Sequence, residues 1–118
     1  MEIDKSNIIG LTEKVLLAGK DKSKYITARI DSGAVISSVD LKLAAELELG
    51  PVTKTKKVKN SNGTSERPVV KCKFKIRDKE YKVEVTLADR SKLKYKALIG
   101  QNLLKKSQFY INPRKKNT

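Results

Sequence analysis

The clearest regularity along the chain is a two-residue alternation. Val70, Cys72, Phe74 and Ile76 take turns with Lys71, Lys73, Lys75 and Arg77, and Tyr81, Val83, Val85 and Leu87 repeat the pattern a few residues later. Side chains of a strand point alternately to its two faces, so each run predicts a strand with one apolar and one wet face, the first of them basic. Arg77 to Glu80 reads as the connecting turn, which makes the pair an antiparallel meander. Earlier, Val15-Leu16-Leu17-Ala18 predicts a buried strand, with Gly19-Lys20-Asp21-Lys22 as the turn after it. Tyr25 to Ile30 alternates again, with Ile26, Ala28 and Ile30 on one face, and runs directly into Asp31-Ser32-Gly33. Val35 to Val39 is a third candidate strand in this half.

The remaining elements are short. Asp40 is the expected N-cap of a helix from Leu41 to Leu49, ended by Gly50-Pro51. Thr53 to Lys59 reads as a strand leading to Asn62-Gly63, a strong hairpin-turn dipeptide. Ala97-Leu98-Ile99 is an apolar run ending in Gly100, followed by a helical turn through Leu103-Leu104-Lys105. Phe109 and Ile111 suggest a last strand, and residues 113–118 a disordered tail. Without repeats or a linker, the expectation is one mainly β domain over residues 1–118, with one or two short helices.

Size agrees, since 118 residues and 13.2 kDa allow one core. No apolar run approaches the roughly 18 residues of a membrane span. The polar, acid-bearing stretch from Met1 to Asn7 lacks the build of a signal peptide, so a cytoplasmic location is expected, with no membrane partner. The lone Cys72 alternates with apolar neighbours and reads as core, and it cannot form an internal disulfide. With no histidine and one cysteine, the chain lacks the means for Ser–His–Asp or Cys–His catalysis and for most zinc sites. Carboxylates, hydroxyls or lysines must carry any catalysis, and no metal or cofactor is expected.

The net charge of +14 is unevenly placed. Residues 1–50 hold seven Lys and Arg against eight Asp and Glu, whereas residues 51–118 hold twenty against five. A basic half of this kind could meet RNA, ribosomes or acidic peptides. Only five of the 27 basic residues are Arg and aromatics make up 5%, so the tools of base readout are sparse and a nucleic-acid partner is not expected.

Asp31 is the candidate for chemistry. An acid that follows Ile30 at the end of an apolar strand is partly shielded from water. Two such acids a few ångströms apart cannot both ionise, so they share a proton and titrate as a pair. The charged member takes a proton from water while the protonated one donates to a scissile carbonyl. Ser32 is placed to orient the acid, and Gly33 allows a close backbone turn. Taken alone, Asp-Ser-Gly also suits an ordinary turn.

The order of motifs adds to this. Ala28-Arg29-Ile30-Asp31-Ser32-Gly33-Ala34 resembles the Asp-Thr/Ser-Gly-Ala motif of the retropepsin-like aspartic proteases. Ala97-Leu98-Ile99-Gly100-Gln101-Asn102-Leu103-Leu104 resembles their second motif of apolar residues, Gly, Arg, Asn and two leucines. Arg67 to Val70 and the stretch from Asp89 to Tyr95 are similar to the prokaryotic branch labelled ATP-dependent zinc proteases. The resemblance spans roughly residues 10–112. It implies a closed, barrel-like β domain acting on a peptide or protein substrate as a homodimer, one catalytic Asp31 per subunit. It also implies an active-site loop of Ser32, Gly33 and Ala34 and a bracing motif of Leu98, Ile99 and Gly100. A flap would be formed by Asn60, Ser61, Asn62, Gly63, Thr64 and Ser65.

The sequence departs from the family in three respects. Retroviral relatives pair an acid two places after the motif glycine with an Arg after the second motif's Gly. Here these positions are Val35 and Gln101, so that brace is expected to be missing. Nothing in the residues supports zinc or a phosphate loop for ATP. Two other readings stand beside the endopeptidase: a peptide- or protein-binding module on the same fold, and a basic RNA- or ribosome-associated protein. Of the other polar residues, Asp40 and Asp89 are expected to cap a helix and open a loop rather than partner Asp31. Arg29 and Arg90 suit ion pairs, Tyr95 suits packing, and the lysines of 71–75 form an exposed face that would favour acidic substrates.

Overall fold

The alternating strands close on one another. The computed structural model describes residues 2–116, Asn60 as backbone only. After a 3-10 turn at Lys5–Asn7 come β1 (Ile8–Ile9), β2 (Thr12–Ala18), β3 (Ser23–Ile30), β4 (Ser37–Asp40), α1 (Leu41–Glu46), β5 (Lys54–Asn60), β6 (Gly63–Ile76), β7 (Lys79–Ala88), β8 (Ala97–Ile99), α2 (Gln101–Leu104) and β9 (Tyr110–Ile111). Hydrogen-bonded neighbours run β2-β3-β8-β4-β7-β6, and β6 returns to β2 through Leu16 opposite Lys75 and Leu17 opposite Phe74. The result is the expected mainly β domain, a closed six-stranded barrel with two short helices. Closure gives each of those six strands a hydrogen-bonded neighbour on both sides over part of its length.

The core is the inward side of the alternations. Val15 and Leu17 of β2, Ala28 and Ile30 of β3, Val70 to Ile76 of β6 at every second position, and Val83 and Val85 of β7 are all buried. Lys71, Lys73 and Lys75 stand on the opposite, wet face. Leu43 and Ala44 from α1, Leu47 at its C-cap and Leu103 from α2 join the same core. Each fully buried Leu, Ile or Phe contributes roughly 1.5–3 kcal/mol, so the barrel wall and the packing of the two helices are stabilised by the same contacts.

The structure corrects several boundaries. The first helix ends at Glu46, short of Leu49. Glu48 takes a φ of 53°, and its N–H bonds to Ala45 O while Leu49 N–H bonds to Ala44 O, the double bond of a Schellman cap. The helix stop expected at Gly50-Pro51 therefore falls on Glu48. At the hairpin Asn60 pairs with Gly63, so Ser61-Asn62 form the tip rather than Asn62-Gly63, and Gly63 at φ 116° begins the return strand. That strand does not stop before the meander. β6 is a single 14-residue strand whose outer part, Gly63 to Arg67, pairs only with β5.

The start of the third strand also moves, from Val35 to Ser37. β1 pairs in parallel with β9 through Ile8 opposite Tyr110 and Ile9 opposite Ile111, an element not anticipated at the N-terminal side. Of the expected tail, residues 117–118 lie outside the described residues. Lys115, by contrast, is held: its Nζ lies 3.0 Å from Oε1 of Glu13, a buried carboxylate that also accepts from Gly10 N–H at 2.9 Å. Among the described residues no helix is long and apolar enough to cross a membrane.

Candidate active site

The barrel puts Asp31 at a junction of three strands. β8 is inserted between β3 and β4, parallel to the first through Ile30 opposite Ile99 and antiparallel to the second through Val39 opposite Ala97. The loop 31–36 bridges β3 and β4 around the end of β8. Its start is fixed by the Asp31 N–H, which donates to Ile99 O at 2.8 Å, and by Ile30 N–H, which donates to Leu11 O at 2.8 Å.

The loop and α2 satisfy each other's backbone. The first N–H groups of a helix have no partner within it. Here Gln101 N–H donates to Ala34 O at 2.7 Å and Asn102 N–H to Val35 O at 3.2 Å. Gly100 makes the approach possible, because a Cβ there would lie 2.7 Å from Ala34 O and 2.9 Å from the carbonyl carbon of Ile36. Beneath it Ser37 is fully buried. Its Oγ accepts from Gly100 N–H at 2.9 Å and donates to Asn102 Oδ1 at 2.8 Å, while Ser37 N–H reaches the same oxygen at 2.9 Å. Asn102 Nδ2 then donates to Glu84 O on β7 at 2.7 Å. Ile99 and Gly100 thus meet the loop through main-chain groups, whereas Leu98 pairs with Arg29 and Ser38 on the flanking strands.

The carboxylate of Asp31 is half-buried. Its Oδ1 accepts from Gly33 N–H at 2.9 Å, and Oδ2 accepts no hydrogen bond from the described residues. Gly33 is needed for closeness rather than for an unusual φ, since its Cβ would come within 3.2 Å of Oδ1. The orienting part expected of the Ser32 hydroxyl is taken by this main-chain N–H. Ser32 instead offers its carbonyl to Gln101 Nε2 at 2.9 Å. The brace expected to be missing with the acid–Arg pair is therefore replaced by a neutral one, while Val35, in place of the acid, is 66% exposed.

Other charged groups sort themselves around this point. Asp40 is buried and committed, Oδ2 to Leu43 N–H at 3.4 Å as helix cap and Oδ1 to Arg90 N–H at 2.8 Å. Asp89 accepts from Ser91 N–H at 2.9 Å, and these bonds from Ser91 hold its carboxyl below the ordinary value. Neither serves as a partner for Asp31. Burial first, then the nearby guanidiniums of Arg67 and Arg29, pull Arg90 down from its ordinary value, while Asp40 and Asp31 oppose this. Arg90 also donates from Nε to Tyr95 O at 3.0 Å, which gives Tyr95 a main-chain part in the 89–96 loop. Sequence reasoning missed Ser37 and the bracing use of Gln101, and it quoted Asn102 without a role. The only available signal was their position beside Asp31 or just after Gly100.

The hairpin tip from Ser61 to Ser65 is exposed. Neither the groove of about 790 Å³ beside β6 and β7 nor that of about 520 Å³ beside β3 and the 89–96 loop includes Asp31. Among the described residues no three His, Cys, Asp or Glu side chains gather as a metal site. The largest pKa displacement is remote from this loop, at Cys72, where burial pushes the thiol up to about 12.

Comparison with solved structures agrees on the fold. The chain superposes on Legionella pneumophila protein Lpg0085, a DUF785 protein of unknown function, with a TM-score of 0.68 at 21% identity over 94% of this chain and 96% of that one. EIAV protease in complex with an inhibitor gives 0.65 at 18% identity over 80% and 85% of the two chains. Simian foamy virus protease gives 0.54 at 22% identity over 79% and 92%. No curated protein sequence matches the chain. Residues 40–118 match the RimB-like family, described as retropepsin-like aspartic endopeptidase RimB. That match covers α1, the hairpin, the meander and the Gly100 motif, and with the barrel it places this chain in the RimB-like family of retropepsin-like aspartic endopeptidases.

Proposed function

We propose that the protein is an aspartic endopeptidase that acts as a homodimer, each copy supplying one Asp31. The observation that carries this reading is the state of that side chain. It is half-buried at a strand end, with one oxygen held by Gly33 N–H and the other without a hydrogen-bond donor among the described residues. A carboxylate in this state is suited to share a proton with an identical group facing it.

Hydrolysis then follows from the pair. The ionised Asp31 takes a proton from a water molecule, whose oxygen attacks the peptide carbonyl carbon as the protonated Asp31 of the second copy donates to the carbonyl oxygen. The gem-diol intermediate collapses as the C–N bond breaks: the first Asp31 gives the amine nitrogen the proton it took from water, and the second, now ionised, takes one back from a diol hydroxyl. The Ile99, Gly100 and Gln101 contacts keep both loops in place through the cycle. The residue 60–65 hairpins would fold over the bound peptide, and the 89–96 loops would form its side walls.

The test is Asp31→Asn, which keeps the Gly33 contact and removes the titrating group. Wild-type protein should cleave a peptide library at mildly acidic pH, the variant should not, and a solution mass should report two copies. Equal cleavage by both proteins would remove the proposal.

A further inference from the structure

The lysines of the second half are not spread evenly. The groove of about 790 Å³ beside β6 and β7 is lined by Lys20, Lys71, Lys73, Lys82 and Lys106, with Glu84 as the one carboxylate among its lining residues. They converge from the β2–β3 turn, the meander and the segment after α2. None of the lining residues belongs to the Asp31 loop, the hairpin tip or the 89–96 loop.

The five lysines of this groove outnumber its carboxylate, Glu84, which stands opposite Lys71 in the β6–β7 register. Glu84 is engaged by Lys54, whose Nζ lies 3.3 Å from its Oε2. Lys106 donates to Lys82 O at 2.8 Å, which fixes its position and leaves its charge in place. Lys20, Lys71, Lys73 and Lys82 have no ion-pair partner among the described residues. Lys73 and Lys82 moreover sit directly opposite each other in the β6–β7 register. Like charges so placed destabilise a sheet, a cost that an anion bound between them removes.

We infer that this groove is a docking track for the phosphate backbone of an extended single-stranded nucleic acid. Lys71 and Lys73 are alternate residues on one face of a strand, which sets them about 6.6–6.8 Å apart along it. That step is close to the spacing of successive phosphates in an extended single strand. All five cations lining the groove are lysines. An ammonium binds phosphate as a point charge and does not need the guanidinium fork, which is absent from this groove. No aromatic side chain lines it either, so bases have nothing to stack on. Few arginines and aromatics argue against base readout, and they do not bear on backbone tracking, which needs only cations. The track is therefore blind to sequence and to the sugar.

Fluorescence anisotropy of the full chain with a labelled oligo(U) of about 20 nucleotides tests this between about 50 and 200 mM salt. With roughly four phosphates neutralised, the slope of log K against log salt should be near −3. The variant Lys71→Gln/Lys73→Gln/Lys82→Gln should lose at least about tenfold in affinity and flatten the slope by about 2. The remote variant Lys5→Gln/Lys14→Gln/Lys42→Gln should lose far less, and oligo(dT) of equal length should bind like oligo(U). Equal loss in the two variants would mean that net charge alone is responsible and would overturn the proposal. So would a poly-glutamate peptide of equal charge binding as tightly as the strand, since the occupant would then be an acidic protein segment. Amide chemical shifts of the wild-type chain give a check independent of any variant. They should move at Lys71 to Lys73 and Lys82 to Glu84 on adding oligo(U), and shifts confined to the neighbourhood of Asp31 would refute the assignment.

Discussion

The side-chain amide of Gln101 donates to the main-chain carbonyl of Ser32 at 2.9 Å, tying the first residue of α2 to the neighbour of Asp31. An ion pair would hold this loop more strongly, but in the proposed dimer it would place two charges where the second copy would pack. A neutral bond avoids that desolvation cost. Removing the donor with Gln101→Ala forfeits about 0.5–1.5 kcal/mol. Because the bond aims the loop and does not bind peptide, kcat should fall about 3–10-fold with KM little changed. Gln101→Glu, which puts an acceptor against an acceptor, should do worse. A change in KM alone would show that Gln101 contacts substrate instead.

Gly100 and Ser37 set a steeper limit. In Gly100→Ala the new methyl must displace the Ala34 carbonyl, which also accepts from Gln101 N–H. The loop has to move, and a loss of about 1–3 kcal/mol is expected from overpacking. Ser37→Ala leaves the buried Gly100 N–H without an acceptor, again about 1–3 kcal/mol. Urea titration should show a lower midpoint with unchanged slope for both, and Asp31-dependent cleavage should fall with them.

Cys72 offers a pH test. Burial raises its folded pKa from the ordinary value near 9 to about 12. Above pH 9 the unfolded chain gives up this proton while the folded chain keeps it, so the unfolded state binds fewer protons and stability declines as pH rises. The stability difference between wild type and Cys72→Ala should therefore shrink between pH 9 and 12. At pH 8 the thiol should resist alkylation until denaturant is added. Fast alkylation of the folded protein would contradict the burial.

Glu13 makes a prediction at the other end of the barrel. Its carboxylate is 6% exposed and holds Lys115 at 3.0 Å, Gly10 N–H at 2.9 Å and Arg77 at 3.7 Å. Glu13→Ala should cost about 1–3 kcal/mol, since Gly10 N–H loses its acceptor while both cations keep access to water. Limited proteolysis should then cut near residues 112–116 well before the core.

The strands were readable where they are wet on one face and dry on the other. Val70 to Ile76 alternate because the inward side meets Val83, Val85 and Leu17, and Asp31 stood out because it ends such a run. The outer part of β6 gave no such signal, because Thr64 to Glu66 are exposed and are held by pairing with β5 alone. The helix end was misplaced because the stop was read at Gly50-Pro51, whereas Glu48, a non-glycine, takes the left-handed reversal that ends the helix. The brace was hidden for a different reason. Ser32 meets Gln101, and Ser37 meets Asn102, across more than sixty residues of chain, and periodicity reports nothing over that range. The lysine groove likewise exists only once three separated segments meet.

The insertion of β8 between β3 and β4 has a consequence for biosynthesis. A ribosome releases the acid-bearing segment well before the strand that receives its N–H, Ala97 to Ile99. Until that wedge seats itself, Asp31 sits on a slack bend with nothing to aim it. The proposed hydrolytic competence therefore waits on this strand, and a product cut short before Ala97 would lack it.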